Sequence, residues 1–271
     1  MHLRTAPALE GLQWMRSGLI LLRREALSHV AWAGFMLFGL GLLLGIPRIG
    51  PILALALMPT LCAGWVAGTE QLLRGVRPPP LGLIGPLLHS SSVRRRLLLL
   101  GSLHALAAVL LLVLADLIDP GFQAQLQVAF ESQPGATPET SAAQNAALSA
   151  VQTGLLLRLA LMVPLSLLFW HAPVIVHLTD SGVGKALFAS ALASLRNLRA
   201  MTLFGLGWFC VNVMVSVALG MLIPLFGSGD LAAVLIVPVL LAFTAAFYAS
   251  LYASVHGCLI FDSPSRSDPD H

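Results

Sequence analysis

"RRRLLLLGSLHALAAVLLLVLADLID", residues 94–119, opens on a basic triplet, runs apolar from Leu97 to Ile118 with only His104 and Asp116 ionisable, and ends on Asp119. About 20 mostly apolar residues are enough to cross the hydrocarbon core of a bilayer as a helix. A water-soluble helix of that length keeps a polar face, and this stretch has none. It reads as a transmembrane helix with Arg94, Arg95 and Arg96 in one headgroup layer and the two aspartates near the other.

Working outward, the same criterion picks five more spans, at 26–45, 50–69, 154–178, 201–224 and 231–259. The whole chain of 271 residues is 57% hydrophobic and 10% charged. Soluble domains carry roughly a quarter charged residues, so this chain lacks the charge to cover a water-facing surface. The expected fold is all-α: one integral membrane domain over 1–271 with six transmembrane helices. The first 25 residues contain Glu10, Arg16, Arg23, Arg24 and Glu25 and no cleavable apolar core, so no signal peptide is expected. Cys62, Cys210 and Cys258 all fall inside spans without metal-type spacing and read as small buried apolar residues.

Orientation follows from the basic residues, which gather on the cytoplasmic side of a membrane. With the N-terminus inside, thirteen of the fifteen Lys and Arg lie inside, Arg48 lies outside and Arg158 lies within the fourth span. Both termini are therefore expected in the cytoplasm. Arg outnumbers Lys fourteen to one in an Ala/Leu-rich chain, which points to a bacterial inner membrane. The pI near 9.1 is then a topology signal and a contact with anionic lipid headgroups, not a nucleic-acid footprint. Residues 119–153 form the expected periplasmic loop, which lacks Lys and Arg and carries Asp119, Glu131 and Glu139. Pro134 and Pro138 break it, and the Ala-rich run from Thr140 is expected to extend the fourth helix outward. Residues 262–271 are expected to be a disordered cytoplasmic tail.

The prolines hint at a repeat. Gly50 precedes Pro59 by nine residues, Gly154 precedes Pro164 by ten, and Gly229 precedes Pro238 by nine. A basic cluster precedes each outgoing helix, and the chain reads as three helical hairpins, each preceded by an amphipathic segment at the cytoplasmic face. In the first segment (1–25), Ala8, Leu12, Met15, Leu19 and Leu22 share a face opposite Glu10, Gln13, Ser17 and Arg24. In the third, Asp180 or Ser181 is the expected N-cap, and Phe188, Ala191, Leu195 and Leu198 form the stripe. Such helices lie in the interface with their basic residues toward headgroups. The middle segment, "PPPLGLIGPLLHSSS", is interrupted by Gly82, Gly85 and Pro86.

"LQWMRSGLILLRRE" (12–25), "LLRGVRPPPLGLI" (72–84), and "FWHAPVIVHL" with "ALFASALASLRNLR" (169–199) resemble a family of proteobacterial six-span membrane proteins. More distantly, the chain is similar to YciC-type membrane proteins and to the membrane domain attached to some glycerophosphodiester phosphodiesterases. The resemblance covers nearly the whole chain and implies the fold and an inner-membrane location; it implies no activity. His171 departs from it, standing between Trp170 and Ala172 where an apolar or aromatic residue is expected.

Ionisable residues inside a membrane are costly and therefore candidates for function. His104 and His171 both sit seven residues from the cytoplasmic ends of their spans, about 10 Å deep. His171 and His177 are six apart and do not share a helix face, so a metal or proton site needs His104 and His171 brought together with a third ligand. The other reading makes His171 a neutral residue bonded to the Phe169 carbonyl, which Pro173 leaves without its N–H partner. His29, His177 and His256 are expected close to the inner interface. Thr244, Tyr248, Tyr252 and His256 recur every four residues along the sixth span, with Ser250 and Ser254 beside them. They form either a polar path or a packing seam. Arg158 is level with Asp116 and Asp119, which allows an ion pair, although snorkelling alone also satisfies Arg158. No catalytic motif or Cys/His metal spacing occurs, and no cofactor is expected. The expectation is a non-catalytic protein that handles or senses a lipid-like or small apolar molecule, or scaffolds membrane partners. The alternative is a small-molecule or ion transporter with a polar path near the fourth and sixth spans. Expected partners are membrane lipids and a membrane-protein partner or second copy, not nucleic acid.

Overall fold

The computed structural model describes residues 1–130, 138–179, 181–222 and 229–261. Strand β1 (His2–Leu3) leads to α1 (Glu10–Arg24), α2 (Ala26–Leu44) and α3 (Gly50–Leu73). A 3-10 turn (Pro80–Ile84) and the one-turn α4 (Gly85–His89) connect to α5 (Ser91–Ile118). Then come α6 (Phe122–Phe130), α7 (Pro138–Phe169), α8 (Ala172–Leu178), α9 (Val183–Arg196), α10 (Leu198–Leu222) and α11 (Gly229–Cys258), and β2 (Leu259–Ile260) closes the described chain. Among the described residues six helical segments are long and apolar enough to cross a membrane: α2, α3, α5, α7 with α8, α10 and α11. The fold is all-α apart from β1 and β2, which pair antiparallel.

Local chemistry accounts for the element boundaries. The Ser90 hydroxyl accepts the Val93 N–H at 3.2 Å and caps α5. Pro59, Pro164 and Pro238 lie inside α3, α7 and α11 without ending them. Pro173 is different: it is the second residue of α8, and the helix breaks at Trp170 and His171. A proline there removes an N–H and crowds the carbonyl four residues back. The fourth span, expected as one helix, is therefore built of two, α7 and α8. At the start of α9 the N-cap position is Gly182, with no side-chain cap; Ser181 does not serve, and Asp180 lies outside the described residues. The tail at 262–271 and the centre of the 119–153 loop also lie outside them.

The first strand, β1, and the last described one, β2, meet at one end of the bundle, here the terminal end. Arg4 N–H donates to the Cys258 carbonyl at 2.9 Å. Asn197 accepts from Ala6 N–H at 2.6 Å and donates to the Arg4 carbonyl at 2.8 Å. Helix α1 packs against α10 and α11 through Gly11, Trp14 and Gly18. A Cβ on Gly18 would stand 2.5 Å from Ser250 Cβ, and one on Gly11 would collide with the Ala200 carbonyl. The Leu12/Leu19 side of α1 and the Phe188/Leu195 side of α9 point outward. Helices α1 and α9 thus each turn a second face toward the bundle, through Gly11, Trp14 and Gly18 on α1 and Ala186, Ser190, Ala193 and Ser194 on α9, which the leucine stripes concealed.

The core is confined to the terminal half. On α2 the buried residues are His29, Trp32, Ala33 and Met36, and on α10 they are Ala200, Met201, Phe204 and Trp208. Beyond Met36 and Trp208 neither helix buries another described residue. Among the described side chains of α11, which begin at Val234, burial starts at Thr244 and continues to Cys258. At the far end a separate small cluster of Phe122, Ala129, Ala147 and Val151 joins α6 to α7.

Candidate functional site

Because α7 leans on α5 and α9 while α10 leans on α1, a groove of about 500 Å³ is left between α7 and α10. Leu159, Val163 and Leu167 form one wall and Met201, Leu206 and Phe209 the other. Ser166 and Thr202 supply the only hydroxyls in a lining that is otherwise apolar. Its floor is Trp170 and Phe204, whose rings meet edge-to-face at 5.8 Å. The indole N–H of Trp170 donates to Ser254 Oγ at 3.1 Å, fastening the last residue before the helix break to α11.

A second pocket of about 180 Å³ lies on the other side of Trp170, and Ser166 and Trp170 line both spaces. Pro59 and Cys62 of α3, His104 of α5 and Tyr248 of α11 contribute to it. His104 Nδ1 is 2.9 Å from the Leu55 carbonyl. A carbonyl can only accept, so Nδ1 carries the proton and Nε2 of the neutral ring is an acceptor. Tyr248 is buried with its ring 4.9 Å from that of Trp65.

His171 is buried at the helix break. Its backbone N–H donates to Ser190 Oγ at 3.0 Å, and its Nδ1 is 3.3 Å from Ser194 Oγ, whose hydroxyl donates to the Leu167 carbonyl at 2.8 Å. The ring therefore bonds to α9, and the Phe169 carbonyl expected as its partner is not the group that holds it. The break at Trp170 turns residue 171 toward α9, where small serines make room. His104 and His171 are anchored to different helices, α3 and α9. Among the described residues no group of three or more His, Cys, Asp or Glu side chains is gathered to hold a metal ion.

Along α11, Thr244 and Tyr248 are buried and Tyr252 and His256 half-buried. The last two stack on each other at 4.2 Å, with His256 Nδ1 3.0 Å from the Tyr252 carbonyl. Ser250 and Ser254 accept the indole N–H groups of Trp208 and Trp170, each at 3.1 Å, tying α10 and α7 to α11. Near the far end, Arg158 is buried, bonds both Asp116 and, at 3.2 Å, Asp119, and lies 3.6 Å above the Phe122 ring.

Two clusters escaped sequence reasoning. His29, expected near the interface, is buried against Trp32 and Trp65 at 5.2 and 6.1 Å. His89 faces His177 at 5.6 Å in a vestibule of about 290 Å³ with Glu70 and Arg74 at the terminal end. Only long-range packing brings His89 and His177 together, so no local spacing signals it.

Six apolar spans around an aromatic core define a polytopic membrane protein. Among the described residues no metal-ligand group is assembled, and the three cysteines are unpaired. The chain is 31% identical over 265 residues to a probable inner membrane protein of Burkholderia thailandensis, a match covering 97% of this chain and 96% of that one. The chain belongs to that protein's family, in keeping with a multi-pass bacterial inner-membrane protein. No family model matches the chain, and no solved structure matches it.

Proposed function

We propose that this is a non-catalytic inner-membrane protein that binds a lipid-like apolar molecule along the groove between α7 and α10. The observation that carries this reading is the groove itself. At about 500 Å³ it falls within the range of roughly 300–1,000 Å³ usual for ligand sites, and its lining is almost wholly apolar. It is a groove between spans, so its natural occupant comes from the bilayer. In this reading the spans form three hairpins, α2–α3, α5–α7 and α10–α11, with α1, α4 and α9 along the inner face. The arginines of the terminal end meet anionic headgroups there.

Photolabelling tests the groove: a diazirine-bearing palmitoyl lipid in nanodiscs should label residues 156–170 and 198–209 above all other spans. Leu159→Trp, which fills the groove, should abolish that labelling in folded protein. Uniform labelling of all six spans would sink the reading. Orientation has its own test, a reporter active only outside the cytoplasm. It should be silent at either terminus and active when fused within 120–150, and activity at the C-terminus would remove the even number of crossings.

The transport reading is supported by the break at Trp170 and His171, since interrupted helices line substrate sites in many transporters. It requires substrate flux in proteoliposomes. Binding without flux leaves the lipid-binding reading.

A further inference from the structure

We infer that the groove and the pocket behind Trp170 are one bipartite site, built for a molecule with a long apolar chain and a single hydroxyl head. This rests on the lipid-binding reading and adds the chemistry of the head. The two spaces share Ser166 and Trp170 as their common wall. Ser166 is exposed and small, and it gives its one proton to the Met162 carbonyl at 2.9 Å, so it leaves a gap and offers a ligand no donor.

Beside the Cys62 thiol and Ser166, the inner pocket presents two polar side chains able to orient a guest, His104 and Tyr248. His104 gives its only proton to Leu55, so Nε2 can accept a hydrogen bond and cannot donate one. Tyr248 is held by its ring against Trp65, and among the described residues nothing hydrogen-bonds its hydroxyl. The pair therefore offers one acceptor and one group able to donate. A hydroxyl answers both, giving its proton to His104 and accepting from Tyr248. A methyl ether of the same length has no proton to give, and a carboxylate would place a lone-pair oxygen against the His104 acceptor without a cation to offset its charge. Phe169, Trp170 and Phe247 complete the walls, and a small flat or compact head fits about 180 Å³ where a zwitterionic headgroup does not. An isoprenoid alcohol and a diacylglycerol both carry this chemistry.

Three diazirine probes test it on the full chain in nanodiscs: a sixteen-carbon alcohol, its methyl ether and the matching fatty acid. Labelling of the groove by the alcohol should exceed that by the ether and the acid on the order of ten-fold, the worth of one or two buried hydrogen bonds. Tyr248→Phe keeps the ring on Trp65 and should level the alcohol with the ether, as should His104→Phe. Ser166→Phe closes the gap in the wall and should leave chain labelling in the groove while removing the preference for the alcohol. Competition by an isoprenoid alcohol and by a diacylglycerol, run separately, identifies which natural class supplies the head. Equal labelling by alcohol and ether in the unmutated protein would overturn the bipartite site and leave the groove standing. So would a preference that survives in the Tyr248→Phe, His104→Phe double variant. Absence of groove labelling by all three probes would take the lipid-binding reading down with it.

Discussion

The two halves of the bundle are built from the same apolar spans and are put together differently. In the terminal half aromatic side chains are buried, Phe204 being 1% exposed, and the indoles of Trp170 and Trp208 bond serines of α11. In the far half, Phe38 is 69% exposed, and the described residues of α10 beyond Trp208 pack against nothing that buries them. Lipid tails are as apolar as leucine, so the hydrophobic effect does not pull spans together inside a bilayer. What closes the terminal half is close backbone approach at small residues together with side-chain hydrogen bonds. Among the described residues the α10 stretch beyond Trp208 lacks both, while the rest of the far half is joined by close approaches at Gly50 and Gly154 and by the Arg158 clamp. The groove runs between α7 and α10 from the level of Leu156 down to Trp170 and Phe204.

The sharpest way to break this comparison is to put one side chain into each half. Gly18→Leu drives a side chain into Ser250 of α11 and should cost about 3 kcal/mol or more. Gly220→Leu, on the open stretch of α10 with nothing within 4 Å of its added Cβ, should cost less than about 0.5 kcal/mol. Thermal unfolding of the purified protein in detergent reads both. Equal losses would mean that the far half is packed as tightly as the terminal half.

Next in size is the far half's polar clamp. Arg158→Leu strands Asp116 and Asp119 and removes the cation above Phe122. Asp116 is half exposed, so solvent screens part of the loss, and about 1–3 kcal/mol is expected. Combining Arg158→Leu with Asp116→Asn and Asp119→Asn should recover part of the loss, because no charge is then left unpaired. An Arg158→Leu variant as stable as the parent would show that the clamp holds nothing.

How much of this was legible in the sequence follows from the same physics. Span number is set by apolar length, which a one-dimensional reading sees, and five of the six long segments were read within a few residues of their helices. The fourth span is present, but the break inside it at Trp170 is not legible, because Pro164 and Pro173 look alike in sequence and only one coincides with a break. Gly11, Gly18, Ser190 and Ser194 were printed in plain view, but leucine stripes point to lipid as readily as to protein. Which face meets the bundle is decided by contacts from helices far along the chain. The groove was not legible at all: it is a gap between α7 and α10, and no residue type marks a gap.

His171 gives a smaller effect. With its ring on Ser194 and its N–H on Ser190, it is a joint between the helix break and α9. His171→Phe keeps most of the ring volume and the backbone bond, and should cost about 1 kcal/mol; Ser194→Ala should cost a similar amount, since it also frees the Leu167 carbonyl. The double variant should cost less than the sum of the two, because both remove the same bond. Full additivity in thermal unfolding would show that the two side chains are not partners. Loss of ligand labelling without any loss of stability would give His171 a role at the site instead of in the joint.

The smallest effect expected is at Phe38. Truncating a buried phenylalanine such as Phe204 to alanine costs roughly 3–5 kcal/mol, from lost contacts and the cavity left behind. Phe38 stands outward on the far half of α2, where alkyl chains touch it in the folded and in the inserted but unpacked state alike. Phe38→Ala trades one lipid contact for another in both states and leaves no cavity, so the change in stability should stay within about 0.5 kcal/mol. Phe38→Leu should be equally silent. A loss of more than about 1 kcal/mol for Phe38→Ala, recovered by Phe38→Leu, would mean that a second copy or another membrane protein covers this face. The open half would then be an interface, and the contrast between the halves would describe one protomer of an assembly.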